Sequence, residues 1–71
     1  MQLIACHETV HFELNSALSN KHSYIVFDAI TCDLYTFGFS EHDDVQERAA
    51  YEHAARIYNT LVPENECIPL S

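Results

Sequence analysis

Apolar side chains recur with two different periods along this chain. Between Glu41 and Leu61 the period is helical. Ala50, Ala54, Ile57, Tyr58 and Leu61 fall within one arc of a helical wheel, with Tyr51 and Ala55 on its edge. Arg48, Glu52 and Arg56 line the opposite face at i, i+4 spacing and can pair. Ser40 stands where an N-cap belongs and opens a Ser-Glu-His-Asp start with Asp43 at the N3 position. Glu41, Asp43, Asp44 and Glu47 fill the first two turns, where carboxylates favour the positive end of the helix dipole. Pro63 prevents continuation. The expectation is one helix from about Glu41 to Leu61.

Before it the period is two. Tyr24-Ile25-Val26-Phe27 and Leu34-Tyr35-Thr36-Phe37-Gly38-Phe39 are rich in β-branched and aromatic residues, and Ala29 to Asp33 supplies a turn. Ser23 to Phe39 is thus a β-hairpin. Ile25 and Phe27 share one face of its first strand, and Tyr35, Phe37 and Phe39 one face of its second, so these five are expected to meet the helix. Leu3 to Leu14 alternates as well. It puts Ile4, Cys6, Val10, Phe12 and Leu14 on one side and Ala5, His7, Thr9, His11 and Glu13 on the other. Val10, Leu14, Ala17 and Leu18 also fit a helical face, but the alternation favours a long strand, or a bent pair, with a bend or bulge near Glu8. A polar turn over Asn15 to Lys21 follows. The expected fold is α+β: a three-stranded antiparallel sheet with one C-terminal amphipathic helix across a face, in the order βββα.

Composition bounds what such a domain can be. The chain has 71 residues, enough for one domain over 1–71, with the order of the segment from Pro63 to Ser71 left open by the sequence. Its 48% hydrophobic content supports a core and argues against intrinsic disorder. Eleven acids against three basic residues set the formal charge at −8. Lys21, Arg48 and Arg56 are too few to bind phosphates by net charge, so no direct nucleic-acid binding is expected. No stretch approaches the roughly 20 apolar residues of a membrane helix, and MQLIACHETV has neither the basic nor the apolar region of a signal peptide. Cys6, Cys32 and Cys67 form an odd set without a CxxC pair, which points to reduced thiols and a cytoplasmic location, with Cys6 packed as a small apolar residue.

His7-Glu8-Thr9-Val10-His11 spells the HExxH string of zinc hydrolases. That chemistry needs a helix, where the two imidazoles at i and i+4 meet one metal; on a strand they stand about 13 Å apart at about 3.3 Å per residue. The string is expected to be coincidence, with no metal, no cofactor and no catalytic residue. His22, His42 and His53 show no metal-ligand spacing with any cysteine. One glycine cannot make a phosphate loop, and no Ser or Cys carries a local activation signature.

The acids are the stronger lead. Glu41, Asp43, Asp44, Glu47 and Glu52 lie on the expected helix, and Asp28 and Asp33 flank the hairpin turn. Carboxylates on a rigid frame can stand in for phosphates on a basic protein surface, and complementary fields speed association. Near-absence of lysine separates this chain from an ordinary surface of mixed charge. These seven are the candidate partner-binding residues.

In length, charge and the hairpin-then-capped-helix order of Ser23 to Leu61, the chain resembles the small acidic inhibitors encoded by bacteriophages and mobile elements, of anti-CRISPR and anti-restriction type. That resemblance implies a small non-enzymatic α+β protein that blocks a nucleic-acid-binding surface of a host protein. No motif carries a functional residue across. The alternative is a homo-oligomeric adaptor, a homodimer in its simplest form, whose acidity serves only solubility. Tyr24, Tyr35, Tyr51 and Tyr58 would then supply interface area, and the uncovered sheet face and edges would be buried by a second copy. A zinc hydrolase built on His7 and His11 is the third reading.

Overall fold

A computed structural model describes residues 1–18 and 21–70, with the backbone alone at positions 17 and 18. The strands are β1 (Gln2–His7), β2 (Val10–Leu18), β3 (Lys21–Asp28) and β4 (Asp33–Ser40), followed by α1 (Asp44–Leu61) and a 3-10 turn at Glu64–Glu66. They pair as an antiparallel meander in the order β1-β2-β3-β4, and α1 lies across one face, mainly over β4 and β3. The class is α+β with one antiparallel sheet and one long helix, but the sheet has four strands where three were expected.

The extra strand comes from the N-terminal third. Leu3 to Leu14 folds back on itself at Glu8-Thr9, so that His7 faces Val10 and Cys6 faces His11. Glu8 adopts φ 52, a conformation usually left to Gly, Asn or Asp. Neither position carries such a residue, so the bend expected near Glu8 has no residue that marks it as a tight turn. The Thr9 carbonyl accepts a hydrogen bond from the Ala29 amide at 3.0 Å, which ties this turn to the β3–β4 loop. Folding back also changes which side chains share a face. Val10, Phe12 and Leu14 face the helix as expected, but Cys6 lies on the far face and is exposed rather than packed. A bulge between Leu3 and Ala5 lets Ile4 and Ala5 both pack against the core. β2 runs on through Leu18 and β3 begins at Lys21, so the turn expected over Asn15 to Lys21 is strand at both ends; Ser19 and Asn20 lie outside the described residues.

Side chains on the helix side form ranks across the sheet, since directly paired residues share a face. One rank is Ala5, Phe12, Val26 and Tyr35; the next is Leu14, Tyr24 and Phe37. Phe39 closes the end beside His22. On β4 the expected face is the observed one. On β3 it is Tyr24 and Val26 that meet the helix, and Ile25 and Phe27 point the other way, because Tyr24 pairs with Phe37 and Val26 with Tyr35. Helix α1 supplies Ala50, Ala54 and Ala55, all buried, together with Tyr58 at 1% exposure. Small side chains at these positions let the helix pack closely on the sheet, whose Phe12 ring meets Tyr51 and Tyr58. Val62 is buried past the helix end, whereas Leu61 stays exposed.

The helix begins at Asp44, not Glu41, and its N-cap is Asp43, not Ser40. The Asp43 carboxylate accepts from the Gln46 amide at 2.9 Å, and the Gln46 side chain accepts from the Ser40 amide at 2.9 Å. Asp43-x-x-Gln46 thus takes the role expected of Ser40-x-x-Asp43, while Ser40 ends β4 and its carbonyl accepts from the Asp43 amide.

After Pro63 the chain turns back along the helix. The Asn59 side chain donates to the Ile68 carbonyl at 2.9 Å and accepts from the Ile68 amide at 2.8 Å, and Cys67, Ile68 and Leu70 pack against the core. Asn59→Ala removes both hydrogen bonds. It is expected to cost about 1–3 kcal/mol in denaturant unfolding and to expose residues 64–70 to limited proteolysis. Glu8→Asn, which suits a positive φ better, is expected to raise stability by roughly 0.5 kcal/mol, read as a melting point higher by about 3 °C.

Candidate functional site

The seven acids singled out in the sequence do not form one patch. Asp28 and Asp33 face each other where β3 meets β4. There Asp28 accepts from the Ile30 amide at 3.0 Å and Asp33 from the Thr31 hydroxyl at 2.9 Å. Both therefore hold the hairpin loop, in which Cys32 takes φ 62. An eight-residue strand at about 3.3 Å per residue sets them roughly 23 Å from the other end of β3, where the helix begins.

Four of the remaining acids, Glu41, Asp43, Asp44 and Glu47, gather around the start of α1, and Glu52 lies about two turns further along. Glu41 sits between two imidazoles, with His22 Nε2 at 3.3 Å and His42 Nε2 at 3.2 Å, and His22 in turn stacks on Phe39. Asp43 is occupied as the N-cap. Asp44, Glu47 and Glu52 share one flank of the helix because they recur at positions that a 3.6-residue turn brings together. That flank lines a cleft of about 440 Å³, closed on the sheet side by Tyr24 and on the tail side by Leu70. The positive group in it is Arg48, whose Nε lies 3.7 Å from Glu52.

Glu47 is tied into the fold. Tyr24 donates its hydroxyl to the Glu47 carboxylate at 3.2 Å, and the Tyr24 ring packs on Phe39, Phe12 and Tyr51. Burial, and after it the Glu47 charge, push the Tyr24 phenol up to about 12 from its ordinary 10.0. Burial also pushes Tyr58 up. Tyr24 at 6% and Tyr58 at 1% exposure, with Tyr35 and Tyr51 half-buried on the same side, belong to the covered face. Tyr24 and Tyr58 are thus core residues, and Tyr35 and Tyr51 pack against the core's edge, which leaves all four little free area to offer a second copy.

His7 and His11 are not brought together. The two-residue turn leaves His7 on the helix side, paired with Val10, and His11 on the opposite side, paired with Cys6, so the sheet separates the rings. Among the described residues no three His, Cys, Asp or Glu side chains converge as a metal-holding group, and no helix is long and apolar enough to cross a membrane. Sequence reasoning missed the cleft because it depends on the tail's return. The Asp44–Glu47–Glu52 spacing gives its helix wall, but its tail wall needs the Asn59 bonds to Ile68.

Neutral Tyr24 is the form that burial and the Glu47 hydrogen bond favour, and its folded value lies above its unfolded one. Its contribution to stability is accordingly complete below pH 10 and is lost as pH rises through about 12. Carbon NMR at the Tyr24 Cζ should place its ionisation near 12, and Glu47→Gln should move it back toward 10. Comparison of the chain with protein-family models, with curated proteins and with solved structures gives no match.

Proposed function

We propose that this protein is a non-enzymatic binding module that docks the acidic flank of α1 on a basic surface of a partner protein and competes with nucleic acid for that surface. The observation that carries this reading is the flank itself. Asp44, Glu47 and Glu52 lie along one side of an 18-residue helix, with Glu41 and Asp43 at its start. The helix is held on an aromatic core, so ordering the carboxylates costs no further backbone entropy on binding. Arg48 alone offsets their charge in the cleft, and it is 76% exposed and free to swing toward solvent when a cation arrives. Such an array presents fixed negative charge as a nucleic-acid backbone does. This is also how the small acidic inhibitors resembled by the chain's length, charge and element order are understood to act. Asp28 and Asp33, bound up in the hairpin loop, are left outside the docking surface.

The test uses immobilised full-length chain and a nuclease-treated bacterial lysate. A retained partner should be released when salt rises from about 0.1 M to about 1 M, which shortens the screening length from about 10 Å to about 3 Å. It should also be released by added DNA or RNA. Asp44→Lys with Glu52→Lys should weaken retention by at least about tenfold. These two positions are chosen because Asp43 caps the helix and Glu47 holds Tyr24, so reversing either would confound docking with folding. Retention that survives salt, nucleic acid and the double reversal would overturn the reading.

A further inference from the structure

No described element covers the sheet face turned away from α1, and its composition is not that of a wet face. Its two central ranks run Cys6, His11, Phe27, Leu34 and Leu3, Glu13, Ile25, Thr36 across the four strands. Leu3 is 57% and Leu34 61% exposed. Ile25, Phe27 and Leu34, with His11, Glu13 and Met1, line a shallow depression of about 390 Å³. Antiparallel sheets with one face in water normally turn polar residues outward, and contiguous apolar patches mark contact sites.

Charge identifies the occupant. The strand pairing puts Glu13 on this face and Lys21 beside Ser40 on the same face, for a formal charge of zero. Asp28 and Asp33 belong to the helix side, and five further acids lie at the start and along the first half of α1. A basic partner finds one carboxylate here, Glu13, with Lys21 on the same face to offset it, against seven acids on the hairpin loop and the helix. A second copy of the chain, which carries −8 in all, meets least repulsion through this face. The size fits as well. Four strands at about 4.8 Å spacing and about 3.3 Å per residue give a patch of roughly 500 Å² per copy, or about 1,000 Å² for a pair, the lower bound of a specific interface.

We propose that the protein forms a symmetric homodimer with open sheet face packed on open sheet face, as two stacked sheets about 10 Å apart. Leu3, Ile25, Phe27 and Leu34 form its apolar centre. The two acidic helices then point outward on opposite sides. The dimer is independent of the docking reading, since it uses the other face of the sheet.

Sedimentation equilibrium of the full chain from micromolar to millimolar concentration tests it. The mass should rise from 8.1 kDa toward twice that value with concentration. Added salt should leave the association unchanged or strengthen it, because the contact is neutral and the remainder of each copy repels. Leu34→Glu and Leu3→Glu should each weaken it by at least about tenfold, and far-UV circular dichroism should stay unchanged because both side chains are exposed in the single chain. Asp44→Lys should leave it intact, which separates this surface from the docking flank. A monomer at every concentration would overturn the proposal. So would a dimer that ignores both leucine variants, as pairing of the β1 or β4 edges predicts, or one that salt dissolves.

Discussion

Everything in this fold leans on one aromatic contact set. Phe12, with no exposed surface, touches Tyr24 on the neighbouring strand of the same sheet face and Tyr51 and Tyr58 on the helix, with ring centroids 5.5–5.9 Å apart. Each such pair adds about 0.5–1.5 kcal/mol beyond simple burial, and a domain this small has few other sources of stability. The same rings fix direction. Tyr24 bridges Phe12 to Phe39 and reaches out to Glu47, so the sheet, the helix and the acidic flank share one rigid node.

The two faces of the sheet divide the molecule chemically. On the helix side, alanines at 50, 54 and 55 bring backbone close to rings, and the helix carries its acids away from that contact into solvent. On the other side, the strands present leucine, isoleucine and phenylalanine with balanced charge. A −8 chain thus has one region where electrostatics dominates and one where it is nearly silent. The two proposed contacts use different physics for that reason, and salt that weakens the one is not expected to weaken the other.

Long-period patterns were legible in the sequence and local geometry was not. The 3.6-residue spacing of Ala50, Ala54 and Tyr58 located the helix, and the alternation of Tyr35, Phe37 and Phe39 located its partner face on β4. The break near Glu8 was legible in the alternation, but its tightening into a two-residue hairpin turn was not, because Glu8 takes a positive φ without a residue type that advertises it. Once that turn forms, Cys6 and His7 exchange sides relative to a continuous strand. On β3 every position from Tyr24 to Phe27 is apolar, so periodicity could not choose a face, and pairing with β4 decided it. The helix start slipped by three residues because Ser40 and Asp43 both make good caps, and Gln46 supports the second. For the site, the acids on the helix were readable, whereas the tail wall of the cleft rests on a single asparagine nine residues away from its partner.

That asparagine grips only main-chain atoms. Its amide meets the carbonyl and the N–H of Ile68 and is indifferent to the side chain there. The anchor of the tail is therefore separated from part of the surface it displays: Pro69, which borders the acidic cleft beside the core-packed Leu70, can change identity without loosening the bond that keeps it in place. The shape and polarity of the cleft's tail wall can thus be retuned at position 69 while the scaffold that holds the tail stays constant.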